Sequence, residues 1–227
     1  MGELTAGDIV LNAKNGSPAS TRVIVNQHRS IEQTARLVTI HLAGGGHISL
    51  TADHVLSLDG AWLPARNARA GAALVGAHGE AVRIARVSSA IGAIVNPVVT
   101  SGFILAAAAD GPAVLAATAS EWSFDLMTSG YAPLSFSALI TYVWPRAAQQ
   151  YYDAWLEPVY KRAAPALAEL SRTLPHTLAI ACLALADVAQ AAGFIGYLMC
   201  SVEALVALAA VFAIAAGRMH RKGGRTQ

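Results

Sequence analysis

Cysteine is almost absent: the 227 residues hold two, Cys182 and Cys200, both late in the chain among apolar neighbours. Two thiols cannot build the dense cross-linked framework of a small secreted scaffold, and buried, inert thiols are the expected state of both. Charge is also scarce. Asp, Glu, Lys and Arg make up 13% of the chain and hydrophobic residues 55%, against roughly 25% charged in ordinary soluble domains, which argues against a purely soluble protein. A net charge of +2 gives no electrostatic footprint for a nucleic-acid partner. Phosphate-cradling motifs are missing too. Gly44-Gly45-Gly46 lacks the Lys-Ser/Thr pair of a phosphate loop and reads as a hairpin tip. His28, His41, His47, His54 and His78 match no metal-ligand spacing and no cysteine joins them, so no metal or cofactor is expected. Met1–Asn12 contains Glu3 and Asp8 and no long apolar stretch, so no secretory leader is read there.

What is present changes character near Glu121. Before it, short runs suited to strands alternate with turn signals. Candidate strands are Ile9–Asn12, Arg22–Asn26, Ala35–Leu42, His47–Leu50, Val55–Leu58, Ala73–Gly76, Val82–Ser88, Ile94–Val95 and Gly102–Ala106. Between them stand Asn15-Gly16, the Gly44–Gly46 triplet, Asp59-Gly60 and Asp110-Gly111. Glycine in such turns accepts a positive φ at no steric cost. The expected class is mainly β, with a β domain over residues 1–120.

Beyond it, residues 121–175 read as an aromatic-rich helical connector. Trp144, Tyr151, Tyr152, Trp155 and Tyr160 suit a membrane–water boundary and a soluble core equally. Pro165–Leu174 reads as a short amphipathic helix with proline in its first turn. Residues 176–217 are the most apolar. Ile195–Ala216 is 22 residues long with one charge, Glu203, and reaches the ~20 residues that cross a bilayer core. Thr177–Met199 is a weaker candidate because it contains Asp187 and Gln190. The alternative is a buried helical hairpin. Residues 218–227 form a basic tail with Arg218, His220, Arg221, Lys222 and Arg225, which a membrane protein keeps on the cytoplasmic side.

Three stretches in order carry a family resemblance. The first is Leu4-Thr5-Ala6-Gly7-Asp8-Ile9-Val10. The second is Thr51-Ala52-Asp53-His54, with Trp62-Leu63-Pro64 through Val75 behind it. The third runs from Val87 to Leu105, with Gly92, Pro97, Thr100, Gly102 and Ile104. Together they resemble the Hint domain of Hedgehog proteins, an intein-like self-processing module. The resemblance implies a horseshoe-shaped β fold, continued here by an α-helical, membrane-associated tail. It implies autoproteolysis through a thioester, with His54 protonating the departing nitrogen and Thr51 orienting it. It also implies a sterol as co-substrate, no resident cofactor, the chain's own preceding precursor segment as partner, and membrane lipid beside it.

The departures matter as much. The family's nucleophilic Cys belongs well upstream of Gly7, ahead of Met1, and no Cys, Ser or Thr stands at the very start of the chain as written. The family's Asp falls near His28, which reads either as a substitute base or as a solvated strand-end histidine. Thr118 stands about where a second Cys is expected. Three readings are open: a self-processing module belonging to a longer precursor and inactive as written; a processing-dead remnant serving as a membrane-anchored binding or structural module; and an unrelated membrane protein with a similar β head.

Overall fold

The protein is described by a computed structural model covering residues 2–28, 33–107, 110–128 and 135–200. Eleven strands are found among these residues: β1 Ile9–Asn12, β2 Ala19–Gln27, β3 Thr34–Leu42, β4 His47–Thr51, β5 His54–Leu58, β6 Ala61–Pro64, β7 Ala73–Val75, β8 Ala81–Ala93, β9 Asn96–Val99, β10 Phe103–Ala107 and β11 Ala113–Ser120. They pair antiparallel in three sheets, ordered β1-β2-β9, β10-β11-β5-β6 and β4-β3-β8-β7. The mainly β reading holds. Ile40, Leu56, Leu58, Leu74, Ile84 and Val114 form the main core, each almost wholly withdrawn from solvent. A second cluster gathers around Phe103, which also contacts Trp62 and Phe124.

Turn chemistry behaves as its residues dictate. Asp59 and Gly60 both take positive φ, 50° and 85°, and close the β5–β6 hairpin, the geometry whose twist matches that of the strands. Three strands were not expected, and each has a reason. β11 reads Ala-Val-Leu-Ala-Ala-Thr-Ala-Ser, and alanine is a poor strand former. It lies between β10 and β5 and is buried along nearly its whole length, where small side chains fit. β6 ends on Pro64 and β9 contains Pro97; both are edge strands, the place in a sheet that tolerates a missing N–H. Ile94–Val95, expected to be a strand, instead joins β8 to β9.

The helices are α1 Phe124–Thr128, α2 Phe136–Val143, α3 Pro145–Tyr151, α4 Glu157–Thr173 and α5 His176–Cys200, with a π-helical turn at Tyr152–Leu156 between α3 and α4. The short helix expected over Pro165–Leu174 is corrected: α4 starts at Glu157 with Pro158 in its first turn, and Pro165 lies inside it. Cys182 is exposed on α5, contrary to the buried thiol expected.

The weaker candidate span, Thr177–Met199, lies within α5. Among the described residues no helix is long and apolar enough to cross a membrane. The two polar residues of Thr177–Met199 are in use within the protein: Asp187 Oδ2 accepts from Phe136 N at 2.6 Å, and Gln190 Oε1 accepts from Ser137 Oγ at 2.8 Å. They fasten α5 to the start of α2, where the free N–H groups of a first turn favour a carboxylate. Residues 201–216 of the second candidate span and the basic tail at 218–227 lie outside the described residues.

The helical segment is joined to the β unit through α3. Gln149 is buried; its Oε1 accepts from Asn26 N at 3.0 Å and Ala6 N at 3.2 Å, and its Nε2 donates to Asn26 O at 3.0 Å. Gly7, φ +94°, lies against Pro145 so closely that a Cβ would sit 2.6 Å from the proline Cβ. Asp8 closes the same turn by accepting from Thr5 N at 2.8 Å. The Leu-x-x-Gly-Asp stretch is thus a turn shaped to receive α3.

Candidate functional site

Thr51 ends β4 and His54 begins β5, with Ala52-Asp53 as the tight connection. Two distant segments hold that connection in place: Arg66 N donates to Ala52 O and Glu121 N to Asp53 O, each at 2.8 Å. The Thr-x-x-His spacing therefore closes on itself, with Thr51 Oγ1 3.1 Å from His54 Nδ1. Across the sheet His54 faces Ser120, at the end of a register shift in the β11–β5 pairing that begins at Ala116. Such irregularities re-aim side chains and are common beside active sites.

Thr51 and His54 open on a cleft of about 190 Å³, shared with Leu37, Ser49, Asn96, Pro97 and Thr118. Burial is the main force on His54 and lowers its pKa below 6.5. The charge of Asp53 and the Asn96 side chain pull upward, and nearby His28 pushes down again. Burial wins, so His54 is a mostly neutral imidazole at neutral pH and a stronger acid once protonated. Asn96 is itself anchored, its Nδ2 donating to Gln27 Oε1 at 2.9 Å.

His28 comes directly after β2 and lies in the left-handed region, φ +58°. Its Nδ1 lies 3.3 Å from Glu157 Oε1, and the side chain is 20% exposed. The structure thus brings Thr51 and His54 into contact, and sets His28 near enough for its charge to bear on His54. Sequence reasoning missed Asp53, Asn96, Gln27 and Glu157. Asp53 sits inside the quoted motif and could have been found there. Glu157 carries no local signal, because it reaches the site from a helix more than a hundred residues away.

Asn96 and Thr118 also border a second, larger cavity of about 540 Å³ between the β unit and the helices. Ile24, Val98, Trp122, Tyr152, Tyr160 and Phe194 give it a mainly apolar wall. Burial raises the pKa of both Tyr152 and Tyr160, so both phenols stay protonated. His41 and His47 pair across β3 and β4, ring centroids 5.6 Å apart. No group of three metal-ligating side chains occurs among the described residues.

No family model matches the chain. Protein hedgehog of Drosophila ananassae is 37% identical over 67 residues, which are 29% of this chain and 14% of that protein. The chain therefore matches about a seventh of the curated relative's length. The Hedgehog-type resemblance read from the sequence is found in this comparison as well. Among solved structures, the gp41-1 intein is similar at a TM-score of 0.43 and 14% identity, covering 52% of this chain and 85% of that one. The Msm DnaB1 intein splicing domain scores 0.40 at 23% identity, covering 50% and 86%. The bacterial intein-like domain from Clostridium thermocellum scores 0.41 at 18% identity, covering 51% and 84%.

Proposed function

We propose that the β unit is a Hint-type self-processing module in which His54 is the general acid and Thr51 holds its ring. The observation that carries this reading is the 3.1 Å contact between Thr51 Oγ1 and His54 Nδ1 in a shielded cleft. In the reaction, a cysteine thiol attacks the carbonyl carbon of the peptide bond before it. The C–S bond forms, the C–N bond breaks, and the neutral imidazole of His54 carries the proton that the thiol loses to the departing nitrogen. An amine is a poor leaving group, so the step depends on that proton.

No thiol lines the cleft among the described residues, and Cys182 stands on α5. The nucleophile then comes from a segment preceding Met1, and that segment is the partner and substrate. A hydroxyl compound next attacks the thioester. The apolar cavity of about 540 Å³ beside Asn96 and Thr118 supports a sterol-sized alcohol as that second substrate. Exposed Tyr142, Trp144 and Trp155 on the helical segment support a membrane location, with the basic tail on the cytoplasmic side.

The second reading is a processing-dead module that binds through the same cavity. The absence of a thiol among the residues lining the cleft favours it. One experiment decides between them. The chain is produced with a preceding protein segment joined through a Cys, and thioester is trapped with hydroxylamine. Self-processing predicts trapping that His54→Ala abolishes. A folded protein that never yields trapped product rules self-processing out.

A further inference from the structure

Two elements beside Gly7 are turned inside out. In a strand with one wet face, apolar side chains point in and polar ones point out. In β1, Val10 packs on the main core and Asn12 is buried, yet the alternate, outward positions hold Ile9 and Leu11, each more than half exposed. α2 repeats the inversion. Ala138 and Thr141 are its buried residues, while Leu139, Tyr142 and Val143 are more than half exposed. Thr141 tolerates burial because its Oγ1 donates to Ala138 O at 2.7 Å.

The two inversions form one surface. Ile9 stands directly opposite Arg22 in the β1–β2 pair, so both side chains leave the same face. The Arg22 guanidinium lies 4.5 Å from the Tyr142 ring centre, and its Nη1 donates to Gly7 O at 2.8 Å. Trp144, also more than half exposed, joins α2 to α3 beside the same turn, where Pro145 meets Gly7. Exposed Arg146 follows in the first turn of α3. A cation there opposes the helix dipole, so the helix gains nothing from it. A contiguous apolar surface of this kind marks a contact face.

We propose that this face of β1 and α2 seats in the headgroup region of an anionic lipid bilayer, with Arg22 and Arg146 on lipid phosphates. This deepens the membrane location proposed above and rests on it. Tyr142 and Trp144 suit that boundary, where an apolar ring and a polar tip are both satisfied. Arginine matches phosphate oxygens with paired N–H donors. Charge decides against a second copy of the chain as the occupant. A twofold pair sets the same patch against itself and brings Arg22 and Arg146 toward their own copies, whereas an anionic surface complements both. Asp8, the acid next to Ile9, already accepts from Thr5 N and Thr5 Oγ1. The chain runs on after Cys200 with residues 201–216, which hold one charge, Glu203, before the basic tail, a composition suited to the same surface.

The test has two arms, both on the full chain. With Trp62, Trp122 and Trp155 replaced by Phe, emission reports Trp144 alone. Vesicles of phosphatidylcholine and phosphatidylserine in equal parts, with brominated acyl chains, are expected to shift that emission to the blue and to quench it. The second arm keeps the native tryptophans, so it decides even where the triple replacement unfolds the chain. There Arg146→Gln is expected to weaken partitioning to the same vesicles about 5-fold, the share of one cation near an anionic surface, and to change nothing on phosphatidylcholine alone. Vesicle binding with Trp144 unquenched, or with Arg146→Gln equal to wild type, overturns the proposed face and leaves the membrane location standing. A chain that binds no vesicles removes both. A dimer that Trp144→Ser dissolves, with no quenching of Trp144 by lipid, overturns the proposal and gives the face to a second copy.

Discussion

Gln149 and Asn26 exchange two hydrogen bonds, each of 3.0 Å, across 123 positions of sequence. The amide of one side chain reads the backbone of β2 as a neighbouring strand would. That exchange fixes α3, and through it the later helices, against the face of the β unit bearing the candidate site.

Gln149→Leu keeps the volume and removes all these bonds. It leaves the N–H groups of Ala6 and Asn26 without their acceptor in a buried place, and each such group costs about 1–3 kcal/mol. Denaturant unfolding is expected to show a loss of at least that size. A loss of a few tenths of a kcal/mol would mean that the helices are not held by this contact.

Gly7 and Gly60 separate two effects of glycine. Both have positive φ, +94° and +85°, but a Cβ at Gly7 meets Pro145 while one at Gly60 meets nothing within 4 Å. Gly60→Ala should cost about 1 kcal/mol for its backbone alone. Gly7→Ala should cost clearly more, because α3 must also shift. Thermal melts of the two variants side by side check the order.

Thr51→Val removes a hydroxyl and keeps the shape. His54 Nδ1 then loses its partner, at a stability cost of about 0.5–1.5 kcal/mol. Thioester formation in the Cys-joined precursor should fall far more than that stability loss explains, and Thr51→Ser should restore it. Equal rates in Thr51→Val and wild type would leave Thr51 with only a structural part.

His54 makes stability depend on pH. Its pKa lies below 6.5 in the folded chain, chiefly through burial, and returns to about 6.5 on unfolding. Between those two values the unfolded chain binds more protons, so stability falls as pH drops below about 6.5 and this loss is complete beneath the folded pKa. His54→Gln cannot titrate, and its unfolding free energy, measured from about pH 7.5 to about pH 5, should lack this part of the slope.

Much of the β unit was legible from residue order. Asp59-Gly60 announced its hairpin because only small or turn-forming residues take two successive positive φ values. Thr51 and His54 were singled out through the resemblance of Thr51-Ala52-Asp53-His54 to the Hedgehog-type motif, and the fold sets the two side chains 3.1 Å apart. β11 was hidden because its alanines carry no strand preference; only burial between β10 and β5 makes them a strand. The apolar stretch Thr177–Met199 looked like lipid-facing helix because local hydropathy cannot show that Asp187 and Gln190 have partners on α2.

By itself, then, the sequence determined the mainly β class and most strand positions, because periodicity and turn residues are local properties; Thr51 and His54 were marked by family resemblance alone. Tertiary structure decided the rest of the site. Asn96 at the edge of His54's cleft, Glu157 beside His28, and the cavity under the helices all join segments remote in the chain. Such meetings arise from how sheets and helices pack, and no local pattern encodes them.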